Sequence, residues 1–410
     1  MSSFLQLAIL LAIIIFFAKL AGFLSTRIGQ PSVFGELVVG LLLGPSLLNL
    51  TNLSFITNMH LGETIHEFGE IGVLLLMFLA GMELHLADLA KNTRVSAYAG
   101  VLGVVVPVLL AYAIGFVFGL DTQHALFLGL TLGATSVSIS AQTLMELGVL
   151  RSRVGLGLLG AAVFDDIIII LLLSIFTAAG DTSNAGGGMA VLLIFVRMVG
   201  FLFFSAAFGI YILPRIVRLI SRLPISQGLT ATALVVLLVY GIAAELVGGM
   251  AAITGTFIAG LMFNRTPEKA RIENGLNAIA YALFVPIFFV DIGLRVNIRE
   301  LSASAVWFML AISAVAILGK MIGSGMGAKA GGFSWWESLQ LGIGMVSRGE
   351  VGLIVAAVGL SAGLLSSEVF SSIVGMILLT TLVTPPLLRW SFARAPKLDD
   401  TPGRRASSNI

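Results

Sequence analysis

The chain of 410 residues has no cysteine. That removes disulfides, thiolate nucleophiles and cysteine-ligated metal clusters from consideration. Charge is scarce as well. Asp, Glu, Lys and Arg make up 11% of the residues, against roughly 25% in a soluble globular protein, so the chain cannot cover itself with a solvated surface. Histidine is limited to His60, His66, His85 and His124, which are scattered without metal-ligand spacing, and no resident metal or other cofactor is expected. The net charge of +2 says little on its own, and no nucleic-acid partner is expected.

What is abundant is apolar residues, at 58%, and glycine, with 47 copies. Apolar runs of spanning length follow one another with short connections, so lipid is the expected solvent and the lipid bilayer the expected partner. Glycine at this density suits close helix packing in lipid. The runs predict an all-α polytopic membrane protein of about thirteen transmembrane helices, with the division near Gly248 and Gly249 the least regular. The first run lacks a basic n-region and a small-residue cleavage site, and is expected to be a retained helix. With the amino terminus outside, seventeen basic residues fall in loops or tail on the inner side and only Arg295 and Arg299 on the outer side. This positive-inside bias predicts a multi-pass protein of the cell inner (plasma) membrane with a cytoplasmic carboxyl terminus. Residues 1–391 are expected to form one transmembrane unit, and 392–410 a polar, disordered cytoplasmic tail.

Two halves of the chain carry similar patterns. FGELVVGLLLGP from Phe34 resembles TGTFIAGLMFNR from Thr254, LLMFLAGMELHLADL from Leu75 resembles VPIFFVDIGLRVNIREL from Val285, and LGLTLGATSVSI from Leu128 resembles LQLGIGMVSRGEVGLI from Leu339. An odd number of predicted helices separates equivalent segments, so the copies, about 32–180 and 252–391, should cross the membrane in opposite senses. Inverted repeats are a transporter architecture, with the binding site near the midplane and formed by broken helices. Thr135 and Ser136 lie in a cluster of small hydroxyl residues that can satisfy the backbone of an unwound segment. The equivalent segment in the second copy places Arg348 and Glu350 at the same depth, where charged side chains would offset the dipoles of facing half-helices.

The adjacent carboxylates Asp165 and Asp166 stand in an otherwise apolar helix, GAAVFDDIIIILLLSIF. A carboxylate at the bilayer centre costs about 2.5–3.5 kcal/mol on insertion scales, so a functional reading is the default. Neighbours on a helix point about 100° apart, which predicts a division of labour. One aspartate takes an internal ion pair, and the other faces a water-filled cavity and is neutralised by either a proton or a metal cation. Lys320, a lone ammonium inside AVAILGKMIGSG, is the expected partner. Competition of cation and proton for one buried carboxylate couples their movements, because the empty anionic site is too costly to carry past the apolar barrier. Lys19 and Arg197 read as structural, Glu36 and Glu83 as packing groups or cavity walls near helix ends, and Asp291 as a possible attractor of cations near the outer side. An intramembrane aspartyl protease would need its aspartates on separate helices with a Gly-Asp motif, which is missing, and no buried Ser and His pair supports a serine protease.

These residues resemble the monovalent cation:proton antiporter-2 family, most closely its NapA-like sodium/proton antiporters. The resemblance runs nearly end to end, through QPSVFGELVVGLLLGP, LGATSVSISAQTLMELGVLRS, GAAVFDDI, AILGKMIG and GMVSRGEVGLIVAAVGLSAG. It implies an NhaA/NapA-like fold with two crossed discontinuous helices, and a homodimer whose core subdomain moves against a dimerisation subdomain. By the resemblance, Asp166 binds the transported Na+ or proton, Asp165 pairs with Lys320, and the breaks near Ser136 and Arg348 are the crossed helices. The adjacent aspartates resemble the electrogenic branch. A potassium/proton antiporter or Kef-like potassium efflux transporter is the alternative, since a carboxylate alone does not fix the radius of the cation. Two departures stand out: Ser347 where a proline commonly precedes the RGE, and Asp291 where a small residue is usual.

Overall fold

The computed structural model describes residues 2–50, 56–57, 60–84, 91–180, 187–295, 302–361 and 363–394. His85, Arg299 and the polar tail beyond residue 394 lie outside the described residues. Among the described residues every regular element is a helix, as expected where each backbone polar group must bond within the protein. The first helices are α1 (Ser3–Arg27), α2 (Ser32–Leu43), α3 (Leu61–Glu83), α4 (Thr93–Val117), α5 (Thr122–Gly133) and α6 (Ser138–Glu146). Then come α7 (Arg153–Gly180), α8 (Gly187–Tyr211), α9 (Leu213–Ser221), α10 (Gly228–Ala243), α11 (Ala252–Phe263), α12 (Lys269–Ile279) and α13 (Val285–Leu294). The series closes with α14 (Ala303–Ala330), α15 (Trp335–Gly344), α16 (Glu350–Ser361) and α17 (Ser367–Ala393).

Among the described residues ten helical stretches are long and apolar enough to cross a membrane, and three shorter apolar helices accompany them: Ser32–Leu43, Ala252–Phe263 and Val351–Leu360. The protein is a multi-pass membrane protein. A 25-residue helix such as α1 or α4 is roughly 37 Å long, more than the roughly 30 Å hydrocarbon thickness. Its ends therefore reach water, where polar caps stop it. Ser2, Asp121, Ser302 and Ser366 each accept from a first-turn amide of α1, α5, α14 and α17, and Ser334 with Glu337 forms a capping box on α15. The irregular division near Gly248 is a π-helical turn, Ala244–Gly248, followed by Gly249 at φ +63°. Such a backbone conformation is readily adopted only by glycine.

With no hydrophobic drive between helices in lipid, close approach of backbones holds the bundle. Gly319, Gly323 and Gly327 recur every four residues on one face of α14. A Cβ on Gly323 would collide with the Leu102 carbonyl and one on Gly327 with that of Tyr98, while one on Gly319 would stand 3.1 Å from Pro107 Cα. All three belong to α4. On its other side α4 meets α7 at Gly100, where a Cβ would lie 2.6 Å from Phe164 Cβ. Helix α4 is thus pressed between the helix that carries the aspartates and the helix that carries Lys320.

A second group of helices packs in the same manner. Gly40 of α2 has no room for a side chain against the Val290 carbonyl of α13, and Gly260 of α11 has none against the Phe78 carbonyl of α3. Helices α2 and α11 are each 12 residues long. Around α1, α2, α3 and α13 gathers an apolar cluster that includes Leu10, Ile14, Ile65 and Ile287. Another joins α4, α5, α14, α16 and α17 through Phe127, Leu128, Ile312 and Ile373. Large apolar side chains face outward elsewhere, among them Phe16 on α1, Phe203 and Phe204 on α8 and Val235 on α10. These are the surfaces that lipid or another apolar partner must cover.

Gly323→Leu is expected to push α14 off α4, with an overpacking cost of about 1–3 kcal/mol. The check is a thermal melt of detergent-purified protein followed by size-exclusion chromatography, where the variant should lose its monodisperse peak at a lower temperature than Leu318→Ile, a change at an exposed position of the same helix.

Candidate functional site

The two aspartates of α7 are both buried, Asp165 at 1% exposure and Asp166 at 7%, but they face different surroundings. Asp165 Oδ1 accepts from Lys320 Nζ at 2.5 Å, and Lys320 is wholly buried. The close approach of α14 beside the ammonium is permitted by a glycine. A Cβ on Gly103 of α4 would collide with Ser324 Oγ and lie 3.6 Å from Lys320 Nζ, so a side chain there would displace Ser324 next to the ion pair. Asp165 Oδ2 makes no hydrogen bond among the described residues. The pair is therefore held by one short contact inside the α7, α4 and α14 sandwich.

Asp166 looks the other way, toward α11. Its Oδ2 accepts from Thr254 Oγ1 at 3.0 Å. Beside it lies a small pocket lined by Met77, Val137, Leu159, Asp166, Thr254 and Phe257, with a volume of about 10 Å³ open to the centre of a water-sized sphere. That is room for about one water-sized guest. A proton or a dehydrated monovalent cation meets that limit, whereas a hydrated ion or an organic substrate does not.

Two breaks in helical structure face each other nearby. The first, residues 134–137, separates α5 from α6, and the second, residues 345–349, separates α15 from α16. The freed backbone groups bond across the gap. Ser136 N donates to the Ser347 carbonyl at 2.9 Å, and Ser347 Oγ donates to the Ser136 carbonyl at 2.6 Å. Ser140 Oγ donates to the Gly344 carbonyl at 2.5 Å, and Thr381 Oγ1 of α17 donates to the Arg348 carbonyl at 2.7 Å. Thr135 Oγ1 makes no hydrogen bond among the described residues.

Arg348 is wholly buried and turns back over the carboxyl end of α15. Its Nη1 donates to the carbonyls of Met345 at 3.1 Å and Val346 at 3.0 Å, and its Nη2 reaches the Ala316 carbonyl of α14 at 3.2 Å. A cation placed there meets the negative end of a helix dipole and takes up carbonyls that the ending helix leaves unbonded. Glu350 begins α16, and its side chain lies outside the described residues.

A model of the sodium/hydrogen exchanger transmembrane domain matches residues 12–393, almost the whole chain and both breaks. The chain belongs to the sodium/hydrogen exchanger family. Its relatives include the Na(+)/H(+)-K(+) antiporter GerN of Bacillus cereus, 40% identical over 387 residues that cover 94% of this chain and 96% of the relative. Another is a Na(+)/H(+) antiporter of Enterococcus hirae, 34% identical over 93% of this chain and 97% of its own length. Among solved structures, the sodium proton antiporter MjNhaP1 of Methanocaldococcus jannaschii superposes with a TM-score of 0.64 over 96% of this chain and 97% of that one. At 17% identity that likeness concerns the fold. The overall fold is thus shared across a wide sequence distance.

The outlying charges of the exchanger find partners too. Lys19 Nζ lies 3.6 Å from Glu36 Oε1, and Arg197 donates to the carbonyls of Val247 at 3.0 Å and Leu246 at 2.7 Å at the end of the π-helical turn. Asp291 is engaged by His66 Nδ1 at 2.9 Å and Arg295 Nε at 3.0 Å, and His66 Nε2 also meets Glu70 at 3.1 Å. Glu83 ends α3. Sequence reading missed Thr254 and Gly103. The first was hidden among the small residues of TGTFIAGL. The second could have been found only by asking which helix separates Lys320 from Asp165.

Lys320→Met should leave the Asp165 carboxylate buried without a counter-charge, at a cost of about 3–5 kcal/mol, whereas an uncharged pair of similar volume is often tolerated. Thermal denaturation of purified protein is the measurement. The expected order of melting temperature has Lys320→Met lowest and the double variant Asp165→Asn/Lys320→Met recovered toward wild type. A double variant no better than the single one would show that the pair is not the source of the loss.

Proposed function

We propose that this protein is a secondary active sodium/proton antiporter in which Asp166 alternately holds Na+ and a proton. The observation that carries the reading is the asymmetry of the two aspartates. Asp165 is held by a buried ammonium at 2.5 Å, while Asp166 points to a different face of α7, lines the small pocket and accepts from a neutral hydroxyl, Thr254 Oγ1. A carboxylate at that depth is costly unless neutralised. It takes whichever cation the open side of the membrane supplies, and the neutral site is the one that moves. The names of the relatives agree with this exchange.

On this reading the three short apolar helices complete about thirteen crossings. The arrangement is that of inverted repeats about 32–180 and 252–391 within one unit over residues 1–391, with a core subdomain and a dimerisation subdomain interleaved. The equal lengths of α2 and α11, and the way each is gripped by a helix of the other half, support it. Arg348 compensates the half-helix dipole at the crossing, with Thr135 and Ser136 in the opposite break, and Glu350 adds to that balance. The amino terminus lies outside and the carboxyl terminus in the cytoplasm of a cell whose inner (plasma) membrane holds the protein as a homodimer. If the Lys320–Asp165 pair also changes protonation in the cycle, more than one proton is exchanged per Na+. The cycle is then electrogenic and gains about 2.3 kcal/mol per charge per 100 mV of membrane potential.

Potassium deserves a second reading because GerN, at 40% identity, is named for K(+) as well as Na(+). Here K+ would occupy the same carboxylate as an alternative cargo.

The test is transport by purified protein in proteoliposomes with an internal pH dye. A Na+ gradient should drive proton movement in the wild type. Asp166→Asn should abolish it, and Asp165→Asn should retain exchange at a reduced rate. Persistent Na+-driven proton movement in Asp166→Asn would sink the mechanism. Replacing Na+ by K+ at the same gradient separates the two cargoes.

A further inference from the structure

Hydroxyl side chains in the apolar helices of this protein mostly bond to their own backbone. Thr131 Oγ1 donates to the Phe127 carbonyl, Thr143 to Ile139, Thr256 to Ile253, Thr380 to Ile377 and Thr384 to Thr380. That is the usual way for threonine to satisfy its hydroxyl in a helix. Thr254 departs from it. Two residues before Thr256 on the same helix, it is 4% exposed and sends its hydroxyl across to Asp166 Oδ2 of α7 at 3.0 Å. Both side chains line the pocket with room for about one guest.

The backbone explains why the hydroxyl is there. Helix α11 begins at Ala252 after the irregular turn that ends α10, and its cap, Ala251, has no side chain able to bond the first amides. Thr254 N is bonded to the Ala251 carbonyl at 3.0 Å, which fixes the first turn and the direction of the Thr254 side chain. The carboxylate is thus met by a hydroxyl from a helix other than its own, set at the amino end of that helix, where the dipole favours negative charge.

We infer that Thr254 is a specificity-determining residue of the exchange, its hydroxyl oxygen serving as a cation ligand beside Asp166. The inference rests on the assignment of Asp166 as the exchange site. A hydroxyl is suited to every state of that carboxylate because it both donates and accepts. To the empty anion it donates, a geometry that the 3.0 Å contact with Oδ2 allows. From the protonated acid it accepts a hydrogen bond. When a cation enters, the hydroxyl proton turns away and Oγ1 presents a lone pair, and carboxylate and hydroxyl oxygens suit a hard cation that has shed its water. A methyl group at the same place could do none of these. Since the pocket is small, the distance between Oγ1 and the carboxylate helps to set which cation radius is held.

Thr254→Val keeps the shape and removes the hydroxyl, Thr254→Ser keeps the hydroxyl, and Asp166→Asn is the control for the underlying assignment. Each is reconstituted in proteoliposomes, and proton movement is recorded against Na+, Li+ and K+ concentration. A hydrogen bond to a charged group is lost in Thr254→Val, so the apparent KM for Na+ should rise about tenfold or more with the maximal rate changed far less. Thr254→Ser should restore the wild-type KM, and the ratio of KM for Na+ to that for K+ should change only in the valine variant. An unchanged KM in Thr254→Val, with Asp166→Asn inactive, would overturn the role of Thr254 and leave Asp166 in place. Equal impairment of the serine and valine variants would also overturn it, because the hydroxyl would not be the acting group. Exchange surviving in Asp166→Asn would remove the assignment on which the inference rests. Should Thr254→Val fail to fold, Thr254→Ala is compared in the same way, with Na+-dependent thermal stabilisation of the detergent-purified protein as a second readout. Loss of that stabilisation in the alanine but not the serine variant is expected, and its retention would overturn the inference.

Discussion

The cost of keeping a charge away from water is the constraint on which the rest of this structure depends. Asp165, Asp166, Lys320 and Arg348 are all buried in the span of the bundle. A lone ion in a low-dielectric interior loses several kcal/mol even after relaxation. Each of these four is met differently. Lys320 and Asp165 answer one another directly. Arg348 is answered by carbonyls at the end of a broken helix. Asp166 is answered by a threonine hydroxyl, which is neutral and leaves room for a cation. The group met by a neutral hydroxyl is the one that lines a cavity.

That arrangement demands close helix contact, which the glycines permit. An ion pair at 2.5 Å between α7 and α14, with α4 lying between them, requires that α4 be thin at the level of the charges. Gly100 thins it toward α7 and Gly103 toward α14, while Gly323 and Gly327 let the α14 backbone settle against it. The same economy appears at the crossing. Breaking two helices frees amides and carbonyls at a depth where water is scarce, and each unbonded group would cost free energy. Ser136 and Ser347 exchange bonds with each other, Ser140 and Thr381 close two further carbonyls, and Arg348 takes those of Met345 and Val346 just beyond α15. Ser347 acts here through its hydroxyl, so a proline at this position would lose the bond to the Ser136 carbonyl.

Much of this was legible in the sequence because lipid makes hydropathy a direct record of fold. The spans, the apolar run around the DD pair and the lone lysine in α14 are visible one residue at a time. The positions of Asp165 and Lys320 relative to each other are not, since they are 155 residues apart and no local pattern relates them. Thr254 was illegible for a different reason. In an apolar helix a threonine usually bonds to its own backbone, and only the direction of its hydroxyl distinguishes it from Thr256 two residues later. Gly103 is one glycine among 47, and its role exists only in the packing of three helices. Asp291 was legible as a charge with Arg295 four residues on, but its engagement by His66 depends on the meeting of α3 and α13.

The short helices explain why function gathers where it does. A 12-residue helix such as α11 is roughly 18 Å long, so the backbone that flanks it must complete a crossing of a hydrocarbon layer of roughly 30 Å. One of its ends must lie within that layer, with amides that a full-length span would have carried to the surface. The amino end of α11 is the end without a side-chain cap, and it is the end from which Thr254 reaches Asp166. The two broken helices likewise bring polar backbone inward at 134–137 and 345–349. Three interruptions of regular structure therefore supply the interior with polarity that apolar side chains cannot, and the carboxylate pair of α7 is placed among them. In a soluble protein water would make such polarity cheap and uninformative. In lipid it can persist only where something holds it, so the pattern of breaks is itself a map of the site.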